Sequence, residues 1–225
     1  GFHRDRYIPV QVNQQAVNAI MTHRPSMRDI TMHDDHIVQS LNNMTQIDLG
    51  GYAKGYALDE GIKILKLYGI NNALINIGGN IIALGRHHTR PWRVGIQHPR
   101  KPGTLAVLDL DDGWAIGTSG DYQRFYIYKN KRYCHILDPR TGEPASQTES
   151  ATVLISPRQN AGVLSDVASK PLFIAPALAT TMANQLGITA WLIVDRTGKI
   201  RLNQTMQKHL IWSHPEVVKN ALVLP

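Results

Sequence analysis

The chain has 225 residues, 43% hydrophobic and 18% charged, a size and balance that fit one globular domain with a core of its own. No stretch approaches the ~18–20 uninterrupted apolar residues of a membrane span, and no charged-then-apolar leader opens the sequence, which argues against a membrane protein and against an unprocessed precursor. The 24 Lys and Arg against 17 Asp and Glu give a net charge of +7, but the basic residues are scattered singly, so no nucleic-acid partner is indicated; the one cysteine, Cys134, excludes an internal disulfide and a multi-cysteine zinc site.

The first eight residues, GFHRDRYI, show no period and read as a poorly anchored start. Val17, Ile20 and Met21 then fall at helical spacing, and Pro25 closes a short helix. Residues 27–41 read as a hairpin around Asp34 and Asp35, and MTQIDL (44–49) as a strand ending at Gly50-Gly51. The clearest helix runs from Tyr52 to Tyr68. Ala53, Ala57, Leu58, Gly61, Ile64, Leu65 and Tyr68 are assigned to its apolar face, and Gly69 supplies the left-handed cap.

NALINIGGNIIALG (72–85) and PWRVGIQHP (91–99) are β-rich, and a hairpin is expected over 104–118, turning at Asp111-Asp112-Gly113. Residues 122–137 alternate aromatic and polar positions about Lys129-Asn130-Lys131 and lead into the turn DPRTG. Residues 163–187 have the small and apolar mixture of packed helices, interrupted at Pro171 and Pro176. Strands TAWLIVD and KIRLN follow, then a short strand at 210–212 and a loose tail. Strands with a few inserted helices, and no repeat of 20–50 residues, give an α+β domain.

Three polar clusters at strand ends exceed what a core requires. In DLGGYAKG (48–55) a carboxylate and two glycines precede a lysine in the first helical turn, where free N–H groups and the helix dipole favour phosphate; the same pattern also serves as a plain tight turn. GTSGDY (117–122) is rich in hydroxyls and reads by default as a turn. In CHILDPRTG (134–142), His135 precedes an apolar strand end, a place that suits a structural histidine as well as a base. His33, His36, His87 and His88 have no ligand partner at metal spacing and read as surface residues.

These clusters, in this order together with INIGGN and PWRVGIQHP, resemble the ApbE family of flavin transferases over roughly residues 40–195. The resemblance implies an ApbE-like, T-fold-like domain of mixed sheets with packed helices. Residues 1–225 would form its C-terminal two thirds, with an N-terminal segment expected upstream. It implies an enzyme that cleaves FAD, attaches FMN through a phosphoester to a Thr or Ser hydroxyl of an acceptor protein, and releases AMP. Asp48, Lys54 and Leu137 would contact FAD, while Thr118, Ser119 and Gly120 would wall the nucleotide pocket. His135 would be the general base, and Mg²⁺ would be held by the Gly51 carbonyl, Asp166 and Ser169. A periplasmic or extracytoplasmic location, with membrane association through an upstream lipid anchor, follows from the resemblance alone.

One position departs from the pattern. Family members have Thr four residues after the metal-binding Asp, and here Asp166-Val167-Ala168-Ser169 leads to Lys170. An ammonium donates and cannot ligate a cation. Either Asp166 and other oxygens hold the metal, or Lys170 takes the metal's place against the diphosphate, or the side chain snorkels outward. A degenerate FAD-binding relative, acting as carrier, scaffold or FAD pyrophosphatase without transfer, is the alternative function.

Overall fold

The computed structural model describes residues 12–219 and 221–225, so the reading of the first eight residues lies outside the described ones. Helix α1 (Gln14–Thr22), capped by the Asn13 side chain, precedes the hairpin β1 (Ile30–Met32) and β2 (Val38–Ser40). The expected strand at 44–49 is absent: this stretch is exposed coil, with Ile47 and Leu49 lacking the neighbours a strand would pair with. Helix α2 (Ala53–Leu67) follows and ends at Gly69, which has the expected positive φ of 74°.

Strands β3 (Ala73–Ile77) and β4 (Asn80–Leu84) form a hairpin, followed by β5 (Trp92–Gln97), β6 (Thr104–Leu110) and β7 (Ala115–Gly120). The expected 104–118 hairpin is corrected by the pairing. β6 joins β5 in a three-stranded sheet, whereas β7 joins β4 in the large sheet. The Asp111–Gly113 turn is therefore a crossing between layers, fixed by the Gly113 N–H and the Ala83 carbonyl. β8 (Phe125–Tyr128) and β9 (Lys131–Cys134) form the expected hairpin about Lys129 and Asn130, both left-handed.

β10 (Thr148–Ile155) is buried along its whole length. α3 (Ala161–Ile174) runs through Pro171 instead of stopping there, giving up the amide hydrogen bond that position would have made to the preceding turn; the break comes at Ala175, whose N–H donates to the Pro171 carbonyl. α4 (Ala179–Gln185), β11 (Ala190–Asp195), β12 (Ile200–Asn203), α5 (Gln204–His209) and β13 (Leu210–Trp212) complete the core. The tail is not loose: α6 (Pro215–Lys219) leads to β14 (Ala221–Leu224), which pairs in parallel with β12.

The large sheet has the order β14-β12-β11-β10-β7-β4-β3 and is covered on both faces. Ala151, Val153, Trp191 and Ile193 face the helices with Leu58, Leu172 and Phe173, while Leu154, Leu192 and Val194 face the three-stranded sheet β13-β6-β5 with Leu105 and Leu108. Strand alternation thus sorts side chains between two apolar layers. Each fully buried Leu or Phe contributes about 1.5–3 kcal/mol relative to exposure.

Two close approaches lock α3 in place. A Cβ on Gly55 would lie 2.4 Å from the Gly162 carbonyl oxygen, and one on Gly117 would lie 2.2 Å from that of Ser165. Buried Asp59 of α2 accepts from the Gly162 and Val163 amides, both at 2.8 Å, capping α3 from a neighbouring helix where Asn160 makes no side-chain cap. This corrects the expected apolar face of α2. Gly55, Leu58 and Asp59 are buried, whereas Ala53, Ala57, Ile64 and Tyr68 are exposed.

Candidate functional site

A cavity of about 1060 Å³ opens where the N-terminus of α2, the end of β7, the middle of α3 and the segment after β9 converge. Asp48, Gly51, Lys54, Thr118, Ser119, Gly120, His135 and Asp166 all line it. Leu137 does not: its side chain is exposed and its backbone bridges Pro144. Ser169 is buried behind the wall.

The floor is built on Asp166. Its Oδ2 accepts from the Gly55 amide at 3.0 Å, and its Oδ1 accepts from Lys170 Nζ at 2.7 Å and Lys54 Nζ at 3.3 Å. Burial alone would raise its carboxyl, but the Lys170 hydrogen bond and charge hold it below the usual aspartate range. Lys170 is pushed down by burial, opposed by Asp166 and reinforced by the nearby Lys54 charge. Lys54 Nζ also donates to the Gly50 carbonyl at 3.2 Å. Asp48 holds the glycine turn, accepting from the Gly50 amide at 2.6 Å.

The wall comes from GTSGDY. Thr118 Oγ1 meets Thr152 Oγ1 at 2.9 Å, and Ser119 Oγ meets Ser169 Oγ at 2.8 Å. Because the Ser169 hydroxyl donates to the Asp166 carbonyl at 3.0 Å, Ser119 is the donor in that pair. Gly120 lies beneath the Tyr122 ring, where a Cβ would come within 2.3 Å of the ring edge. Behind this wall, Asp121 accepts two hydrogen bonds of 2.6 Å from Arg100, whose Nε is 3.0 Å from Glu149; Arg132 Nη1 donates to the Asp121 carbonyl at 3.3 Å.

His135 is half-buried and lines the same cavity as the lysines. Its Nδ1 is 3.2 Å from the Arg124 carbonyl, an acceptor only, so Nδ1 carries the proton and Nε2 keeps its lone pair. Burial, then the Arg124 charge, with smaller effects of Lys170 and Lys54, lower its pKa below the ordinary histidine value. The imidazole is thus neutral near pH 7. Asn76, Gln97 and Arg124 also line the cavity. Asn76 and Gln97 stand within INIGGN and PWRVGIQHP, strands the sequence reading placed without assigning a side chain to the site; Arg124 carried no signal.

The pattern of the ApbE family matches residues 1–192. The chain belongs to the ApbE family. It is 37% identical over 216 residues to an FAD:protein FMN transferase of Rhodobacter capsulatus, covering 93% of this chain and 39% of that relative. It is 30% identical over 156 residues to the FAD:protein FMN transferase of Escherichia coli K12, covering 66% and 44%. Among solved structures, the ApbE protein of Thermotoga maritima superposes with a TM-score of 0.77 at 28% identity over 90% of this chain and 64% of that one. The apo flavinyl transferase ApbE of Pseudomonas stutzeri gives 0.68 at 25% identity over 94% and 61%. This ApbE chain spans less than half the length of those curated relatives. Both structures support the expected α+β fold with mixed sheets and packed helices.

The Mg²⁺ that the resemblance implies does not fit the donors of this ApbE chain. Both carboxylate oxygens of Asp166 already accept N–H donors, and its backbone carbonyl accepts from Lys170 at 2.7 Å as well as from Ser169. A divalent ion there would face two ammonium groups. Among the described residues no group of three His, Cys, Asp or Glu is placed to hold a metal.

Proposed function

We propose that this chain carries the flavin-transfer site of an FAD:protein FMN transferase. The diphosphate of FAD lies against Lys54 and Lys170, with the nucleotide along Thr118, Ser119 and Gly120. His135 Nε2 removes the proton of an acceptor Thr or Ser hydroxyl. The hydroxyl oxygen bonds to the phosphorus of the FMN half, the P–O bond to the bridging oxygen breaks, and AMP leaves with that oxygen. Such transfer depends on positioning and charge neutralisation more than on covalent help from the protein.

The observation that carries this reading is that one cavity is lined by two ammonium groups and by a histidine whose Nδ1 is held by the Arg124 carbonyl. An acceptor flavoprotein and an extracytoplasmic location belong to the reading through the family. Among the described residues no single helix is long and apolar enough to cross a membrane. The test is His135→Ala: transfer of fluorescent flavin to a threonine-bearing acceptor domain should fall by about 10²–10⁴-fold, the range for a general base, with FAD affinity retained. Undiminished transfer would remove His135 from the mechanism.

Lys170 favours a second reading, an FAD carrier that binds without transferring, since a lysine offers one charge where Mg²⁺ offers two. Tight FAD binding with neither labelled acceptor nor AMP would select it.

A further inference from the structure

Lys170 does not snorkel outward. It stands one turn beyond Asp166 on α3, lines the cavity, and keeps its side chain 27% exposed there. Its aliphatic stem passes directly beneath the glycine turn: a Cβ on Gly51 would be 2.8 Å from Lys170 Cε and 3.1 Å from Cδ. Gly51 therefore leaves room for this lysine. The ammonium spends two N–H groups on Asp166, on Oδ1 and on the backbone carbonyl, both at 2.7 Å. Its third N–H has no protein acceptor among the described residues.

Lys54 is in the same position. Two of its donors go to the Gly50 carbonyl and Asp166 Oδ1, leaving one unspent. Because both ammonium groups approach the same carboxylate oxygen, they sit side by side. On Asp166, two ammonium groups thus meet one carboxylate, while Asp48, also on the lining, spends an oxygen on the Gly50 amide; the unspent lysine donors belong to the cavity floor. An anion with paired phosphate oxygens would take both unspent donors.

We propose that Lys170 is a built-in counter-cation for a diphosphate, seated where a divalent ion would otherwise lie, so that this protein binds FAD without metal. The inference rests on the flavin-transfer reading and adds to it the way the diphosphate is neutralised. Metal and lysine exclude each other on this floor. Binding Mg²⁺ would require both ammonium groups to leave Asp166 and would place like charges together in a half-buried site.

The experiment is FAD titration by flavin fluorescence, in Mg²⁺ and in EDTA, on the wild-type protein, Lys170→Thr and Lys170→Met. Wild-type Kd is expected to agree within about twofold in the two buffers. Both variants should bind FAD about tenfold or more weakly in EDTA, the loss expected for one charge-assisted hydrogen bond. Mg²⁺ should restore Lys170→Thr, whose hydroxyl can ligate, and not Lys170→Met. Riboflavin, which lacks phosphate, should bind all three alike, showing that the variants are folded. A wild-type Kd that rises about tenfold in EDTA would overturn the proposal and leave the flavin reading standing, as would unchanged FAD affinity of both variants in EDTA. Failure of the wild type to bind FAD in either buffer would overturn the flavin reading, and the proposal with it.

Discussion

Two ionic clusters are built to opposite rules, one lining the cavity and one standing behind its Gly120–Tyr122 wall. Behind the wall, Arg100 and Arg132 face Asp121 and Glu149, two cations against two carboxylates, with Arg100 bound in bidentate fashion. On the floor, Lys54 and Lys170 share the single carboxylate of Asp166. The first cluster is balanced, and every charge in it has a protein partner. The second is left with unspent donors. A closed cluster shapes the wall of a site, whereas one left open toward a cavity is available to a ligand.

The largest effect that separates them should come from Arg100→Ala. Stranding Asp121 and Glu149, both buried, should cost about 2–3 kcal/mol of stability, read as a lower urea midpoint with unchanged slope. A loss below about 0.5 kcal/mol would mean that this cluster does not hold the wall. Lys54→Met should do the reverse. FAD affinity should drop about tenfold while stability stays within about 0.5 kcal/mol, because Lys170 still satisfies Asp166. An equal loss of stability would show the floor to be structural as well.

Acid gives the smallest and most specific contrast. Asp166 is held below the usual aspartate range in the folded chain, so the stability it brings is present at neutral pH and is lost as pH falls through that range. Glu149 has the opposite sign: burial raises it, so its contribution is greatest in acid and declines as pH rises through its folded value. Urea midpoints measured from pH 7 to pH 3 should therefore fall less steeply for Asp166→Asn than for the wild type. A parallel decline would remove Asp166 from the acid limb.

Much of this site was legible because its parts are local. Gly50-Gly51 before a helix, the hydroxyl-rich GTSGDY and the histidine before DPRTG each stand within a few residues, and the structure brings them to one cavity. What the sequence concealed depends on partners far along the chain. The α2 face was misassigned because Gly55 and Asp59 are not apolar, yet both are buried by contact with the start of α3. The turn at Asp111–Gly113 looks like any hairpin turn, and nothing near it says that its two strands belong to different sheets. β10 shows no alternation because both of its faces are covered. The strand expected at 44–49 had a plausible local pattern and no partner.

The lone thiol beside His135 has a use of its own. Cys134, at the end of β9, is 1% exposed, and burial raises its pKa, so in the closed chain it is a poor nucleophile and out of reach of reagents. Any reaction with an aromatic disulfide must wait for the strand to lift, and the labelling rate then clocks how often the backbone bearing the imidazole opens. With no second cysteine in the chain, that signal comes from a single place. The chain carries its own reporter of local opening, one residue from the imidazole on the cavity lining.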